Sequence, residues 1–291
     1  MDDYSMWLVE YGTCTKQPVS SLVYGRHNSG IRSIPFTFLV VKGKGHLIAV
    51  DTGYYDEGYA HELTVKFGVD RMKSVDLALS ELGFRGADFD TVILTHAHYD
   101  HIGGIKAFPN AHFIMQEHEL LEWMKVLALP KEYDFLSAAI NPGDIANLVA
   151  LMEKKSLTLV DGPVEDILPD ISLHPVFDSH TYGLQLVRIR NHDAEGSYDD
   201  WIFTSDACYS FDNLSKDGRF GTYFPVGFGV GSITGMVRAL ETIRVLSHDR
   251  LDRLIIPHEA EMWRRFPVKK TSNGMYIAEI CLAAGEASRI T

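Results

Sequence analysis

The chain has 291 residues and 46% hydrophobic content, enough to build a sizeable core, so a disordered chain is excluded. A formal net charge of −12 is a poor match for a phosphate backbone, which demands clustered Lys and Arg, so no nucleic-acid partner is expected. Cys14, Cys208 and Cys281 form an odd, scattered set without a CxxC pair, which argues against a disulfide framework and for a reducing, cytoplasmic setting.

In chain order, the opening Met1-Asp-Asp-Tyr-Ser lacks the basic start and apolar stretch of a signal peptide. No run of about 18 apolar residues occurs, so no membrane span is expected. Short strands rich in Val, Ile, Leu and Phe are predicted over Trp7–Tyr11, Phe36–Val41, His46–Val50, Val92–Thr95, His112–Met115, Leu157–Val160, Ser172–Val176, Leu184–Arg190, Trp201–Thr204 and Leu254–Ile256. Gly43-Lys-Gly45 reads as a hairpin turn. Helical spacing marks Ser74–Leu82, Glu117–Leu127, Asp144–Lys154, Thr234–Leu246 and Met275–Ala284. Runs of strands punctuated by helices predict an α/β fold of two packed sheets with helices outside, in one domain over 1–291. Pro130, Asn141-Pro142-Gly143 and two helical pieces give Leu129–Lys155 the character of a helical cap inserted at 129–155 over a cleft. Phe224–Gly231 is Gly-rich but lacks the Gly-Lys-Ser/Thr ending of a phosphate loop, and reads as a pocket loop before a helix.

One turn concentrates the chemistry. His96-Ala-His98-Tyr-Asp100-His101 places four potential metal ligands directly after the apolar run Thr91–Thr95. Imidazole and carboxylate together are a ligand set for zinc, iron or manganese. Such crowding of polar groups is unfavourable without a cation. One turn cannot complete two such sites, so further ligands are sought at the ends of other apolar runs. His180 follows Leu173–Phe177, Asp206 follows Trp201–Ser205, and His258 follows Leu254–Pro257. His192 competes with His180 but lacks the Thr-x-Gly that follows His180, and is read as a loop residue. Cys208 is read as a small buried residue, because Asp206 already fills the ligand position.

The order His-x-His-x-Asp-His, then His, Asp and His, resembles the metallo-β-lactamase superfamily, and Val50-Asp51-Thr-Gly53 matches its early strand-end motif. The resemblance spans roughly Phe36 to His258 and implies an αββα sandwich of two mixed β-sheets flanked by helices. It also implies a dinuclear centre of two divalent metal ions, usually Zn2+, with Mn2+ or Fe2+ as substitutes. By position, His96, His98 and His180 would hold the first metal and Asp100, His101 and His258 the second. Asp206 would bridge them, and Asp51 would fix a ligand imidazole by hydrogen bonding.

Within the superfamily the chain is most similar to the N-acyl homoserine lactonases and pyridoxolactonase-like hydrolases. Ser205-Asp206-Ala207-Cys208-Tyr209 carries this likeness, with Tyr209 three residues after the bridging Asp. Ile256-Pro-His258-Glu259 and Phe266-Pro267 add to it. Two features depart from the lactonase pattern: Pro257-His258-Glu259 stands where Gly-His-Asp is usual, and the stretch from His101 to His180 is longer. The polar stretch Cys14–Ile34 is placed by the same resemblance over the site.

The implied reaction is opening of a lactone ring in a small molecule by a hydroxide shared between the metals. Tyr209 would stabilise the carbonyl oxygen and Asp100 would shuttle the proton. A homodimer is a further implication of the family. The same site suits a cyclic amide or a thioester, and Arg264, Arg265, Lys269 and Lys270 are candidates for a glutathione-type thioester's acidic groups. A mononuclear iron persulfide-type dioxygenase is the other alternative.

Overall fold

The computed structural model describes residues 3–291. The first sheet begins with β1 (Ser5–Pro18), β2 (Ile31–Gly43), β3 (His46–Val50), β4 (Arg71–Met72), β5 (Thr91–Ile93), β6 (His112–Gln116) and β7 (Leu157–Val160). The second takes β8 (Val164–Leu168), β9 (Ile171–Pro175), β10 (Gln185–His192) and β11 (Tyr198–Phe203). A small hairpin of β12 (Ser215–Lys216) and β13 (Arg219–Phe220) follows. Then β14 (Leu254–Ile255) returns to the second sheet, and β15 (Val268–Lys270) and β16 (Tyr276–Cys281) to the first. The strand orders are β15-β16-β1-β2-β3-β5-β6-β7, with β4 on β1, and β14-β11-β10-β9-β8. Both sheets are mixed: β3, β5, β6 and β7 pair in parallel beside antiparallel β1 and β2, and β14 joins β11 in parallel.

The period of two along the strands divides the core into two layers. Trp7, Val9, Phe38, Val40, Ala49, Val92, Phe113 and Met115 face one side. There they meet Leu63 of the helix Tyr59–Phe67, Leu79 of Val75–Ser80, Trp123 of Glu117–Leu127 and Leu148 of Pro142–Glu153. Their neighbours Met6, Leu8, Leu39, Val41, Ile48, Val50, Ile93 and Ile114 face the second sheet and meet Leu173, Leu186 and Ile202. That layer continues to Ala239, Leu240 and Ile243 of the helix Ile233–Leu246. The first sheet is therefore buried on both faces, each buried Val, Leu, Ile or Phe contributing about 1.5–3 kcal/mol. This is the αββα sandwich. Lys44 and Gly45 both take positive φ, 52° and 83°, as a two-residue hairpin between β2 and β3 requires.

One expected helix is a strand. Tyr276–Cys281, inside the expected helix Met275–Ala284, lies between β15 and β1. Its Ile277 enters one core layer, and Ala278 and Ile280 enter the other. A short apolar run buried on both faces has no period that separates strand from helix. The helix Tyr59–Phe67 was not expected, because its exposed face carries Val65 among its charges. Among the described residues no single helix is long and apolar enough to cross a membrane.

The topology puts loops of different origin on one edge. The chain leaves β3 into Asp51 and β5 into the 96–101 turn, and these parallel strands are hydrogen-bonded neighbours. Parallel β11 and β14 release Asp206 and His258 in the same direction. The carboxyl ends of parallel strands in a rigid sheet are where side chains from distant segments converge.

Candidate metal centre

Seven side chains converge there in two groups. His96, His98, His180 and Asp206 form one, and Asp100, His101 and His258 the other; within each group the ligand atoms lie within 4.8 Å of one another. All seven are buried. Asp206 faces both groups. Its Oδ2 lies 3.3 Å from Nε2 of His180 and 3.7 Å from Nε2 of His96. Its Oδ1 lies 3.2 Å from Nε2 of both His101 and His258. In the first group, Nδ1 of His98 faces Nε2 of His180 at 3.0 Å.

The partners of the opposite ring nitrogens fix the tautomers. Nδ1 of His180 donates to the Phe228 carbonyl at 2.9 Å, and Nδ1 of His258 to the Pro35 carbonyl at 2.8 Å. Nδ1 of His101 donates to Asp51 Oδ2 at 2.7 Å. A carbonyl or an ionised carboxylate only accepts, so each of these rings keeps a proton on Nδ1 and turns Nε2 inward. Nδ1 of His96 lies 3.1 Å from the Thr95 hydroxyl and 3.3 Å from that of Ser205. The Thr95 hydroxyl in turn donates to Asp51.

The donor set fits a cation. Nε2 of His96, His101 and His258 and Oδ1 of Asp206 are buried without a hydrogen-bond partner; the approaches between Oδ1 and the rings lack hydrogen-bond alignment. Orphaned lone pairs on four ligand-type groups in one buried cluster are costly unless an ion takes them. The electrostatics agree. Burial, with repulsion from neighbouring imidazoles, holds His96 and His98 well below the usual histidine range, so both are neutral. Burial alone would lower His101 and His258 too, but Asp206 and Asp100, joined at His101 by Asp51, overcome it and raise both, so without a cation these two rings favour a second proton that a metal would displace. Burial pushes Asp206 up, and His101 and His258 outweigh it and hold it well below the carboxylate range. Asp100 stays raised, by burial and by Asp206.

Strain accompanies the site. Asp51 and Ser205 have φ of 65° and 47°, a region that residues with a Cβ seldom enter. Both conformations serve the network that holds His96 and His101, since Ser205 Oγ donates to Thr95 Oγ1 at 2.7 Å.

Above these seven side chains lies a cleft of about 140 Å³. His98, Asp100, Asp206, Tyr209 and His258 form its floor, and Leu22, Ile34, Phe36, Phe67 and Phe228 its apolar walls. Tyr209 donates from its hydroxyl to Asp206 Oδ2 at 2.9 Å. Burial and Asp206 push its phenol well above the ordinary range, so it stays protonated. The stretch Cys14–Ile34 is half strand rather than connection, and it lines the cleft through Gln17, Ser21, Leu22 and Ile34. Segment 129–155 contributes Ala139, whose carbonyl accepts from the Tyr99 amide at 3.1 Å. None of Arg264, Arg265, Lys269 and Lys270 lines the cleft; Arg265 lies over the Phe211 ring and Lys269 beside Glu81. His192, at the end of β10, pairs with Asp3 away from the site.

Three supporting residues, Thr95, Ser205 and Glu119, escaped the sequence reading. Thr95 and Ser205 lie next to predicted ligands, and no spacing separates them from ordinary strand-end hydroxyls. Glu259, which stands where a family Asp is usual, accepts from Ser210 Oγ at 2.8 Å and the Phe211 amide at 3.1 Å, tying the His258 loop to the loop that follows Tyr209. Glu119 is the third. Burial pushes its carboxyl up against the pull of four hydrogen-bond donors.

A family model described as the metallo-beta-lactamase superfamily matches residues 32–242. The chain is 22% identical over 282 residues to the N-acyl homoserine lactonase AttM of Rhizobium radiobacter, covering 91% of this chain and 97% of the relative. An AttM from Azorhizobium caulinodans is 25% identical over 290 residues, covering 95% and 100%. Among solved structures, AidC, described as a dizinc quorum-quenching lactonase in complex with a product, aligns with a TM-score of 0.65 at 18% identity. That alignment covers 96% of this chain and 95% of AidC. A likeness at that identity speaks for the fold.

Proposed function

The chain belongs to the metallo-beta-lactamase superfamily, and on that premise we propose that it is a metal-dependent hydrolase that opens the lactone ring of a small molecule. The observation that carries the reading is Tyr209, a half-buried neutral donor 2.9 Å from Asp206, at the floor of a narrow apolar cleft beside both ligand groups. The names of the full-length relatives support the same substrate class.

His96, His98 and His180 would hold one divalent cation and Asp100, His101 and His258 a second, with Asp206 available to both. Two separate groups of donors favour two ions over the single iron of a dioxygenase. Zinc suits the nitrogen and carboxylate donors, as manganese and iron do. When bound, such a pair supplies Lewis acidity, acidifying water and polarising a carbonyl.

The chain's own groups do the rest. The Tyr209 hydroxyl donates to the carbonyl oxygen as that oxygen gains charge on the way to the tetrahedral intermediate. Asp100, beside the cleft floor, takes the proton that the attacking water loses and passes it to the departing alkoxide. Phe36, Phe67 and Phe228 exclude water and take the apolar part of the substrate. The segment 129–155 acts as a cap, through Ala139 at the cleft and its contact with the 96–101 turn. The distance of Arg264, Arg265, Lys269 and Lys270 from the cleft disfavours a thioesterase of the glutathione type.

The test is a pH-indicator screen of lactones, cyclic amides and thioesters on protein of known metal content. Acid release from lactones alone supports the proposal, whereas hydrolysis of no lactone by metal-replete protein overturns it.

A further inference from the structure

We infer that Glu119 is a positioning residue that sets the distance between the His98 and His180 loops, an inference that rests on the metal-site reading above. Glu119 lies in the first turn of the helix Glu117–Leu127 and is fully buried. Its Oε1 accepts from the Ala97 amide at 2.8 Å and from Trp123 Nε1 at 2.7 Å. Its Oε2 accepts from the Thr181 hydroxyl at 2.9 Å and the Gly183 amide at 2.5 Å. Ala97 stands between His96 and His98, and Thr181 follows His180. Each oxygen thus holds one ligand loop, and the carboxylate sets the span between them.

The sequence around His180 is built to reach this group. The Thr-x-Gly after His180 supplies a hydroxyl and an amide to the same oxygen, and a Cβ on Gly183 would lie 2.4 Å from the Glu119 backbone nitrogen. Only glycine permits that approach. Trp123, one turn further along the helix, fixes the other oxygen and lays its ring against His98, centroids 6.0 Å apart, and against Tyr182 at 5.0 Å. None of the four donors is a cation. A buried carboxylate held by neutral donors alone is expensive to keep, and here all its acceptor capacity goes to the two ligand loops and the tryptophan between them. Three of the four donors are obligate N–H groups, so a neutral amide at this position cannot satisfy them all.

The experiment is a Co2+ titration of metal-stripped protein, followed by visible absorption, on the wild type and on Glu119→Gln. The amide keeps the volume but turns a donor toward one of the two loops. The metal-stripped variant is expected to melt cooperatively. Its first-group Co2+ affinity is expected to fall on the order of 10- to 100-fold, as for lost outer partners of ligand histidines, with a changed ligand-field spectrum. Wild-type affinity and spectrum in a folded Glu119→Gln overturn the inference. Should Glu119→Gln fail to fold, Thr181→Val decides: it keeps the carboxylate and the Gly183 amide and removes only the hydroxyl beside His180. A weaker first-group affinity supports the role and an unchanged one overturns it. A wild type that takes up no metal overturns the metal-site reading itself, whereas two ions bound equally by wild type and variants overturn only the role of Glu119.

Discussion

Asp51 and His101 meet at 2.7 Å, fully buried, from loops that leave two adjacent parallel strands. The same carboxylate accepts from the Thr95 amide and the Thr95 hydroxyl, both at 2.8 Å, and so governs His101 directly and His96 through one hydroxyl. Asp51→Asn should therefore weaken metal retention on the order of 10- to 100-fold, measured by chelator competition. Asparagine tolerates the left-handed backbone at this position, so the variant should fold, which Asp51→Val would not guarantee. Retention equal to wild type would show that His101 needs no orientation from this partner.

Asp206 is the one donor that faces both groups. Asp206→Asn, and likewise His98→Ala, should abolish metal loading and activity together. Elemental analysis of the purified variants checks the first and acid release the second. Full hydrolytic activity in metal-free Asp206→Asn would sink the metal mechanism.

Tyr209→Phe keeps the ring among its neighbours and removes one donor. Turnover should fall on the order of 10- to 1000-fold with metal content unchanged. An unchanged rate would remove Tyr209 from the chemistry.

The uneven legibility of the chain has a physical cause. The ligand positions at residues 96–101, 180, 206 and 258 stand at the ends of apolar runs, where a polar residue is conspicuous, and the structure brings them to one edge. The network behind them is silent in sequence. Glu119 sits in a charged helix start where a solvated glutamate is the ordinary expectation, and only the fold reveals that its carboxylate lies between two loops. Thr95 and Ser205 look like any strand-end hydroxyl. The same limit applies to β16: Tyr276–Cys281 is buried on both faces, so its apolar residues fall at successive positions and mimic a helix. Strand pairing between the chain's two ends, β1 with β16, leaves no local pattern at all.

Asp144 carries the last prediction. It lies in the first turn of the helix Pro142–Glu153, is buried, and leaves Oδ2 without a partner. Burial raises its carboxyl to about 7, against the pull of Asn141 and Lys106. The folded value lies above the unfolded one, so the folded state holds the proton more tightly. Stability from this group is then fully present below pH ~4 and falls as pH rises through 7. Asp144→Asn removes the charge that must otherwise be buried. It should leave the melting temperature near wild type at pH 4 and raise it at pH 8. The gain should be at most a few kcal/mol, since one pKa unit is worth about 1.4 kcal/mol. Calorimetry at the two pH values on metal-stripped protein, where no pH-dependent metal binding intervenes and the ligand titration is common to both chains, checks the sign. A variant less stable than wild type at pH 8 would mean that the ionised carboxylate is held by a partner, and that the N-terminus of this helix depends on the charge.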